Sequence, residues 1–210
     1  MSTELVIFDC DGVMVDSERL TIEVESRLIT ALGWPLAPDE VAERFLGRSD
    51  SYMVTEIEAV IGRAIPEWRS EYECELRRAF TRELKPVDGV PDLLETMDVQ
   101  TCIASSGTHE KMALTLGLTG LWDHFDGRVF SVNEVGRGKP APDLFLHAAA
   151  SMEAAPDRCL VIEDSPSGIE AALAADMRCV AYAGGLVPME RLERFGVPII
   201  HDMRHVVEFT

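Results

Sequence analysis

The sequence of 210 residues is poor in basic residues and especially poor in lysine. Lysine and arginine together number 19 against 37 acidic residues, which gives a formal net charge of −18. A nucleic-acid partner needs a basic face to meet its phosphates, so this balance argues against nucleic-acid binding. Three of the basic residues are lysines: Lys85, Lys111 and Lys139. A lysine inside a short, rigid motif therefore stands out against this composition.

Paired cysteines and long apolar runs are also missing. The five cysteines form no CxxC pair, and an odd number cannot all pair within one chain. Most lie in or beside apolar runs, as reduced buried thiols do. No uncharged run approaches the roughly 20 residues that span a bilayer, and Glu4 and Asp9 interrupt the first apolar stretch, so no N-terminal signal is expected. We expect a cytoplasmic protein with no membrane partner.

Short apolar runs alternate with helical patterns along most of the chain. The runs are LVIF before Asp9, TCIA before Ser105, VF before Ser131, CLVI before Glu163 and CVAYA before Gly184. Continuous apolar runs of this length are typical of strands buried on both faces of a parallel sheet. The alternation predicts a Rossmann-like α/β fold, a parallel sheet with helices on both faces.

One interval breaks this alternation. Between residues 17 and 84 there is no strand pattern, and the helix-like stretches are 17–32, 38–45, 52–61 and 66–84. Glycines and prolines separate these stretches. A helical block after the first strand predicts an inserted all-helical cap domain at 16–85. The catalytic core would then combine 1–15 with 86–210.

The end of the first strand carries the segment DCDGVMVDSE, with Asp9 and Asp11 one residue apart. Ligands bind at the carboxyl ends of parallel strands. Two carboxylates there could hold a hard cation such as Mg²⁺, and Gly12 lets the backbone turn and present N–H groups to an anion. An acidic turn after a strand is a common alternative, so this pair alone leaves both interpretations open.

Three later strand ends carry further polar residues. In CIASSGT, Ser105, Ser106 and Gly107 could bind a phosphate at a helix start, or could simply cap the helix. In GRGKPAPD, a glycine and two prolines fix the backbone around Lys139, whose ammonium could neutralise charge in a phosphoryl transition state. The alternative for Lys139 is a solvated surface lysine.

The fourth strand end is LVIED, where Glu163 and Asp164 are adjacent. Neighbouring carboxylates at a buried strand end repel each other unless a cation lies between them. An acidic helix cap is the simpler alternative. Taken together, the four strand ends offer what phosphoryl transfer to a carboxylate requires.

In this combination the sequence resembles the haloacid dehalogenase superfamily, in its helical-cap branch of β-phosphoglucomutase-like proteins and sugar-phosphate phosphatases. The matching strings are DCDGVMVDSE, CIASSGTHE, GRGKPAPD and LVIEDSPSG. The resemblance implies Asp9 as the phosphorylated nucleophile, Asp11 as acid and base, and Mg²⁺ as the cofactor. It also implies that Ser105 and Lys139 are catalytic. The metal ligands would be Asp9, the Asp11 carbonyl, Asp164 and, directly or through water, Glu163. The residues that contact the substrate or its phosphate would be Gly12, Ser105, Ser106, Gly107, Lys139 and Arg48.

Differences between this sequence and two groups of that family indicate which reaction to expect. Its dehalogenases lack the second aspartate, so Asp11 argues against dehalogenation. The mutases carry a histidine where Thr21 stands here and a phosphate-binding arginine whose register differs from that of Arg48. We therefore expect hydrolysis of a small phosphorylated metabolite, a sugar phosphate or sugar-acid phosphate, by a monomer or weak homodimer. A phosphosugar mutase is the first alternative. A non-catalytic phosphate-binding module is the second, and the complete motif set argues against it.

Overall fold

A computed structural model describes residues 2–210 of the chain. Two compact units are present: one comprises Met1–Asp16 and Lys85–Thr210, and the other comprises Ser17–Leu84. In chain order the strands and α-helices are β1 (Leu5–Phe8), α1 (Ser17–Ala31), α2 (Pro38–Phe45), α3 (Asp50–Ile61), α4 (Trp68–Glu83), α5 (Val90–Thr96), β2 (Gln100–Ser105), α6 (His109–Leu118), β3 (Val129–Ser131), α7 (Asp143–Ser151), β4 (Cys159–Glu163), α8 (Pro166–Ala174), β5 (Arg178–Tyr182), α9 (Met189–Glu193) and β6 (Ile199–Ile200).

The first unit is built on one parallel sheet with the strand order β3-β2-β1-β4-β5-β6. Alternate residues of β1 face opposite sides of the sheet. Leu5 and Ile7 join a core with α7, α8 and α9, whereas Phe8 meets Phe125 edge-to-face at 6.4 Å between ring centroids. The predicted Rossmann-like α/β class is confirmed. The two-residue strand β6 was not predicted, because it is too short to show a pattern.

The second unit consists of the helices α1 to α4, which enclose an apolar core of their own. Ser49 caps α3 by accepting a hydrogen bond from the Tyr52 N–H at 3.3 Å. Gly62 follows the helix as its C-cap, with a left-handed φ of 71°. Whether this helical unit acts as a cap stays a prediction.

The chain leaves and re-enters the first unit at one place. The Asp16 N–H donates to the Lys85 carbonyl at 3.0 Å, and the Val87 N–H donates to the Met14 carbonyl at 3.0 Å. These bonds hold the two crossing segments side by side. The sequence prediction set the boundaries one residue away from those of the compact units. Within residues 2–210, no helix is long and apolar enough to cross a membrane.

Candidate active site

Asp9 directly follows β1 and lies at the carboxyl edge of the sheet. Its N–H donates to the Ile162 carbonyl of β4 at 3.0 Å, so the two strand ends are held together. The residue is 8% exposed. After Asp9 the backbone turns sharply, and the Gly12 N–H donates to the Val15 carbonyl at 2.9 Å. The structure therefore places the predicted nucleophile in a rigid, buried position.

Lys139 extends its ammonium into the space between two carboxylates. Its Nζ donates to Asp9 Oδ1, to Glu163 Oε1 at 2.7 Å and to the Ala104 carbonyl at 3.1 Å. The side chain is 4% exposed, which removes the alternative of a solvated surface lysine. Burial disfavours the ammonium, but the carboxylates of Asp9 and Glu163 outweigh it, so the pKa of Lys139 is raised.

The ionisation of Asp9 depends on the charges around it. Burial raises the pKa of Asp9 to about 7, the ammonium of Lys139 opposes this rise, and the carboxylates of Glu163 and Asp11 add to it. A carboxylate that must be ionised in order to act as a nucleophile therefore benefits from a further positive charge beside it. This electrostatic setting fits a divalent cation.

Both carboxylate oxygens of Glu163 accept hydrogen bonds. Oε1 accepts from Lys139, while Oε2 accepts from both the N–H and the hydroxyl of Ser165 at 2.8 Å. The sequence prediction placed Glu163 on the metal, directly or through water. In the structure its carboxylate contacts the ammonium of Lys139 and the start of α8. A contact of Glu163 with the metal, directly or through water, stays a prediction.

Asp164 is 2% exposed and lies against two glycines. A Cβ added at Gly12 would stand 2.1 Å from Asp164 Oδ2, and one added at Gly185 would stand 3.2 Å from the same oxygen. A side chain at Gly12 would therefore displace the carboxylate, and one at Gly185 would be in tight contact with it. Gly185 was not predicted from the sequence, because it follows a strand that carries no acidic motif.

The residues available to a metal ion are oxygen donors. Asp9 and Asp164 offer buried carboxylates, and the Asp11 carbonyl stays a predicted third ligand. Within the described part of the chain, no group of three or more His, Cys, Asp or Glu residues is arranged to hold a metal ion. Two carboxylates suffice for Mg²⁺, which completes its shell with waters and phosphate oxygens. The donor set and the glycine cradle around Asp164 fit this cation.

The loop after β2 is braced by hydroxyl groups. Ser105 is buried, and its Oγ accepts from the Gly107 N–H at 3.0 Å, while the Ser131 hydroxyl donates to the Gly107 carbonyl at 2.7 Å. Ser106 is exposed. Thr108 provides the N-cap of α6, since its Oγ1 accepts from the Lys111 N–H at 3.2 Å. Ser105 and Ser106 therefore do not cap this helix.

Lys111 is a site residue that the sequence interpretation passed over. Its Nζ donates to Asp11 Oδ2 at 2.8 Å. Burial disfavours the ammonium, but Asp11 outweighs it, so the pKa of Lys111 is raised. The scarcity of lysine was the one signal that could have drawn attention to it.

Arg48 belongs to the helical unit. It is exposed, and its guanidinium lies over the Tyr52 ring at 5.4 Å from the centroid. Thr21, which stands where mutases carry a histidine, is half-buried on α1 of the same unit. A substrate contact by Arg48 stays a prediction.

Residues 3–176 match the family profile of the haloacid dehalogenase-like hydrolases. The chain therefore belongs to this family, and the resemblance found in its motifs is confirmed. It is 31% identical to the 6-phosphogluconate phosphatase of Escherichia coli K12, over 99% of this chain and 90% of that protein. It is also 31% identical to a phosphorylated carbohydrates phosphatase of Thermotoga maritima, over 82% of this chain and 81% of that protein.

A solved structure of a haloacid dehalogenase-like protein is also similar to this chain. A conserved haloacid dehalogenase-like protein of unknown function from Agrobacterium tumefaciens C58 superposes with a TM-score of 0.89 at 34% identity. The match covers 99% of this chain and 97% of that one. The similarity thus extends over the whole chain, including residues 17–84.

Proposed function

We propose that the chain is a Mg²⁺-dependent phosphatase that hydrolyses a small phosphorylated sugar or sugar-acid through a phosphorylated Asp9. One observation carries this proposal: a buried aspartate and a buried lysine meet at the ends of β1 and β4, beside Asp164 in its glycine cradle. Membership in a hydrolase family agrees with it. The named relatives, both phosphatases of phosphorylated carbohydrates or sugar acids, support the substrate class.

The reaction would proceed in two steps carried by the two aspartates. A carboxylate oxygen of Asp9 attacks phosphorus while the proton of Asp11 passes to the departing alkoxide, which leaves as an alcohol. Asp11, now ionised, takes a proton from water as the water oxygen attacks phosphorus. The bond from phosphorus to Asp9 breaks, releasing inorganic phosphate and restoring both aspartates.

The supporting residues act on charge and position. Lys139 balances the negative charge that gathers around Asp9, and Glu163 keeps the ammonium in place. Asp9, Asp164 and the carbonyl of Asp11 would hold Mg²⁺, with Glu163 bound directly or through water, and the cation would supply positive charge at the site. Ser105, Ser106, Gly107 and Gly12 are proposed phosphate contacts, and Arg48 is a proposed contact to the rest of the substrate. The N–H groups of Gly12 and Gly107 donate to Val15 and Ser105 in the structure, so each would exchange that partner for phosphate.

Hydrolysis is favoured over mutase chemistry. Thr21 stands where the resemblance places the histidine of the mutases. The Escherichia coli and Thermotoga maritima relatives named above are both phosphatases. The five cysteines are free thiols in the structure, which agrees with the proposed reducing cytoplasmic setting. A monomer or weak homodimer remains the proposed assembly.

A panel of phosphate esters tests the proposal. Purified protein is assayed for phosphate release from sugar phosphates, sugar-acid phosphates and p-nitrophenyl phosphate, with Mg²⁺ and with a chelator. We expect release that depends on Mg²⁺ and that Asp9→Asn reduces at least about 10³-fold. Full activity in Asp9→Asn would overturn the mechanism. Isomerisation of a sugar phosphate that needs a bisphosphate primer and releases little phosphate would favour the mutase instead.

A further inference from the structure

Two of the three lysines in the chain contact the two aspartates that follow β1, Asp9 and Asp11. Lys139 contacts Asp9, and Lys111 contacts Asp11 with 2.8 Å between Nζ and Oδ2. The Lys111–Asp11 contact joins residues 100 positions apart in the sequence. The sheet brings them together, because α6 starts from the end of β2, beside β1. The composition makes this placement notable, since arginine is the usual cation of the chain.

Helix physics disfavours a lysine at this position. Lys111 is in the first turn of α6, where its N–H donates to the N-cap Thr108. The N-terminal end of a helix carries partial positive charge and prefers acidic side chains. Asp11 relieves this repulsion through an ion pair whose two side chains are 38% and 22% exposed. The charge of the helix end therefore does not explain the lysine, whereas its contact with Asp11 does.

The contact is held on a braced loop. A Cβ added at Gly107 would stand 3.7 Å from Lys111 Cδ and 3.8 Å from Asp11 Oδ2, so both side chains pack beside this residue. Gly107 is itself fixed through Ser105 and Ser131. The ammonium therefore reaches Asp11 from a rigid frame, and it restricts the rotation of the carboxylate.

We propose that Lys111 is the positioning residue for Asp11, holding its carboxylate in place for proton transfer to the leaving oxygen and from water. This inference rests on the proposed phosphatase function. Lys111 acts through Asp11: the proton still passes from Asp11 to the alkoxide as the P–O bond breaks, and returns to Asp11 from the attacking water. The ammonium keeps its own proton throughout.

The dependence on the leaving group tests this role. An alkyl phosphate needs Asp11 to protonate its leaving oxygen, whereas p-nitrophenolate departs without a proton. In Lys111→Met, we expect kcat for an alkyl phosphate to fall about 10²-fold. The first step with p-nitrophenyl phosphate should stay within about threefold of the wild type, and the slowed second step should produce a burst of p-nitrophenolate. Lys111→Arg, which keeps a cationic donor, should recover most of the alkyl phosphatase activity.

Controls separate positioning from general damage. Lys85→Met makes the same substitution at an exposed lysine outside the site and should leave both rates unchanged. In an Asp11→Asn background, Lys111→Met should change the p-nitrophenyl phosphate rate by less than about twofold, because its partner is already lost. Should Lys111→Met not fold, Lys111→Gln takes its place, and failure of both variants to fold would make the lysine structural and overturn the proposal.

The remaining outcomes distinguish the two proposals. A wild-type protein that hydrolyses neither ester with Mg²⁺ would overturn the phosphatase function and this inference with it. An active wild type whose Lys111→Met variant loses both first steps equally, or loses neither, would overturn the positioning role alone and leave the phosphatase function standing.

Discussion

At the scale of single residues, the site depends on how closely Asp164 is enclosed. Gly12 has a φ of 80°, and a Cβ there would stand 2.1 Å from Asp164 Oδ2. We predict that Gly12→Ala lowers phosphate release at least about 100-fold, because small displacements of catalytic groups have effects of that size. The Mg²⁺ concentration for half-maximal activity should rise as well.

Gly62→Ala is the matched control for this change. Gly62 has a similar φ of 71° but no atom within 4 Å of an added Cβ. Both variants therefore bear the same left-handed backbone penalty of about 1–2 kcal/mol, which thermal melts would register. If Gly62→Ala lost as much activity as Gly12→Ala, backbone strain rather than displacement of Asp164 would be responsible.

We expect Lys139 to contribute both to the stability of the fold and to catalysis. Its removal in Lys139→Ala leaves the carboxylates of Asp9 and Glu163 buried without their counter-charge. We predict a loss of about 3–5 kcal/mol in the free energy of unfolding, measured in urea, since breaking a buried ion pair has effects of that size. Phosphate release should fall about 10³-fold. Lys85→Ala, at an exposed position, should change neither, and an unchanged stability of Lys139→Ala would contradict the buried-pair interpretation.

Sequence patterns identified the residues at the strand ends better than their partners. Asp9 and Lys139 could be singled out because each stands in a short motif beside an apolar run. The pairing of Lys111 with Asp11 could not, because spacing along the chain carries no information on contacts between residues 100 positions apart. The partners of Glu163 were likewise hidden, because its contacts with Lys139 and Ser165 depend on the folded arrangement of the strand ends.

At the scale of elements, α1 contains an acidic residue in the core of the helical unit. Glu25 is 7% exposed and accepts a hydrogen bond from the Tyr72 hydroxyl at 3.3 Å. Burial raises the pKa of Glu25 to about 7 from 4.5; the Tyr72 bond opposes this and Asp50 adds to it. Because the folded pKa lies above the unfolded one, the folded state binds the proton more tightly. This stabilisation is full below about pH 4.5 and is lost as the pH rises through about 7.

We predict that Glu25→Gln, which cannot ionise, stabilises the chain at pH 8 by up to about 3 kcal/mol and has a much smaller effect at pH 5. Thermal melts of wild type and variant at the two pH values measure this difference. Glu23→Gln is the matched control, because Glu23 lies on the same helix with 48% of its side chain exposed. An equal effect of Glu25→Gln at both pH values would show that ionisation of Glu25 is not the cause.

Elements were predictable wherever they are long and regular. The stretch 38–45 was expected to be helical, and α2 spans Pro38–Phe45. Helix α4 was expected from 66 but begins at Trp68. The sequence pattern of a helix does not mark the first hydrogen-bonded turn, so a predicted boundary can differ by one or two residues. Strand β6 escaped notice since two apolar residues have no period.

At the scale of the whole molecule, the chain interrupts one folded unit with another. The sheet and its core are formed within Met1–Asp16 and Lys85–Thr210, and α1 to α4 have a separate core. In the sequence, the change from alternating strands and helices to helices alone predicts a division at 16–85, and the role of that segment as a cap domain stays a prediction. The substrate could not be predicted in the same way, because selectivity depends on side-chain geometry that composition and period do not encode.

The backbone bonds at the crossing point should allow the helical unit to be removed. Since the Asp16 N–H reaches the Lys85 carbonyl at 3.0 Å, a short Gly-Ser linker can join these residues in place of 17–84. We predict that this shortened chain unfolds cooperatively and still releases p-nitrophenolate from p-nitrophenyl phosphate, because Asp9, Asp11, Lys139 and Asp164 all remain. Its kcat/KM values across the ester panel should converge, because the predicted cap that selects substrates is gone. The full chain with the same linker inserted after Gly62 is the control. A shortened chain that stays selective would place substrate discrimination in the sheet-containing unit.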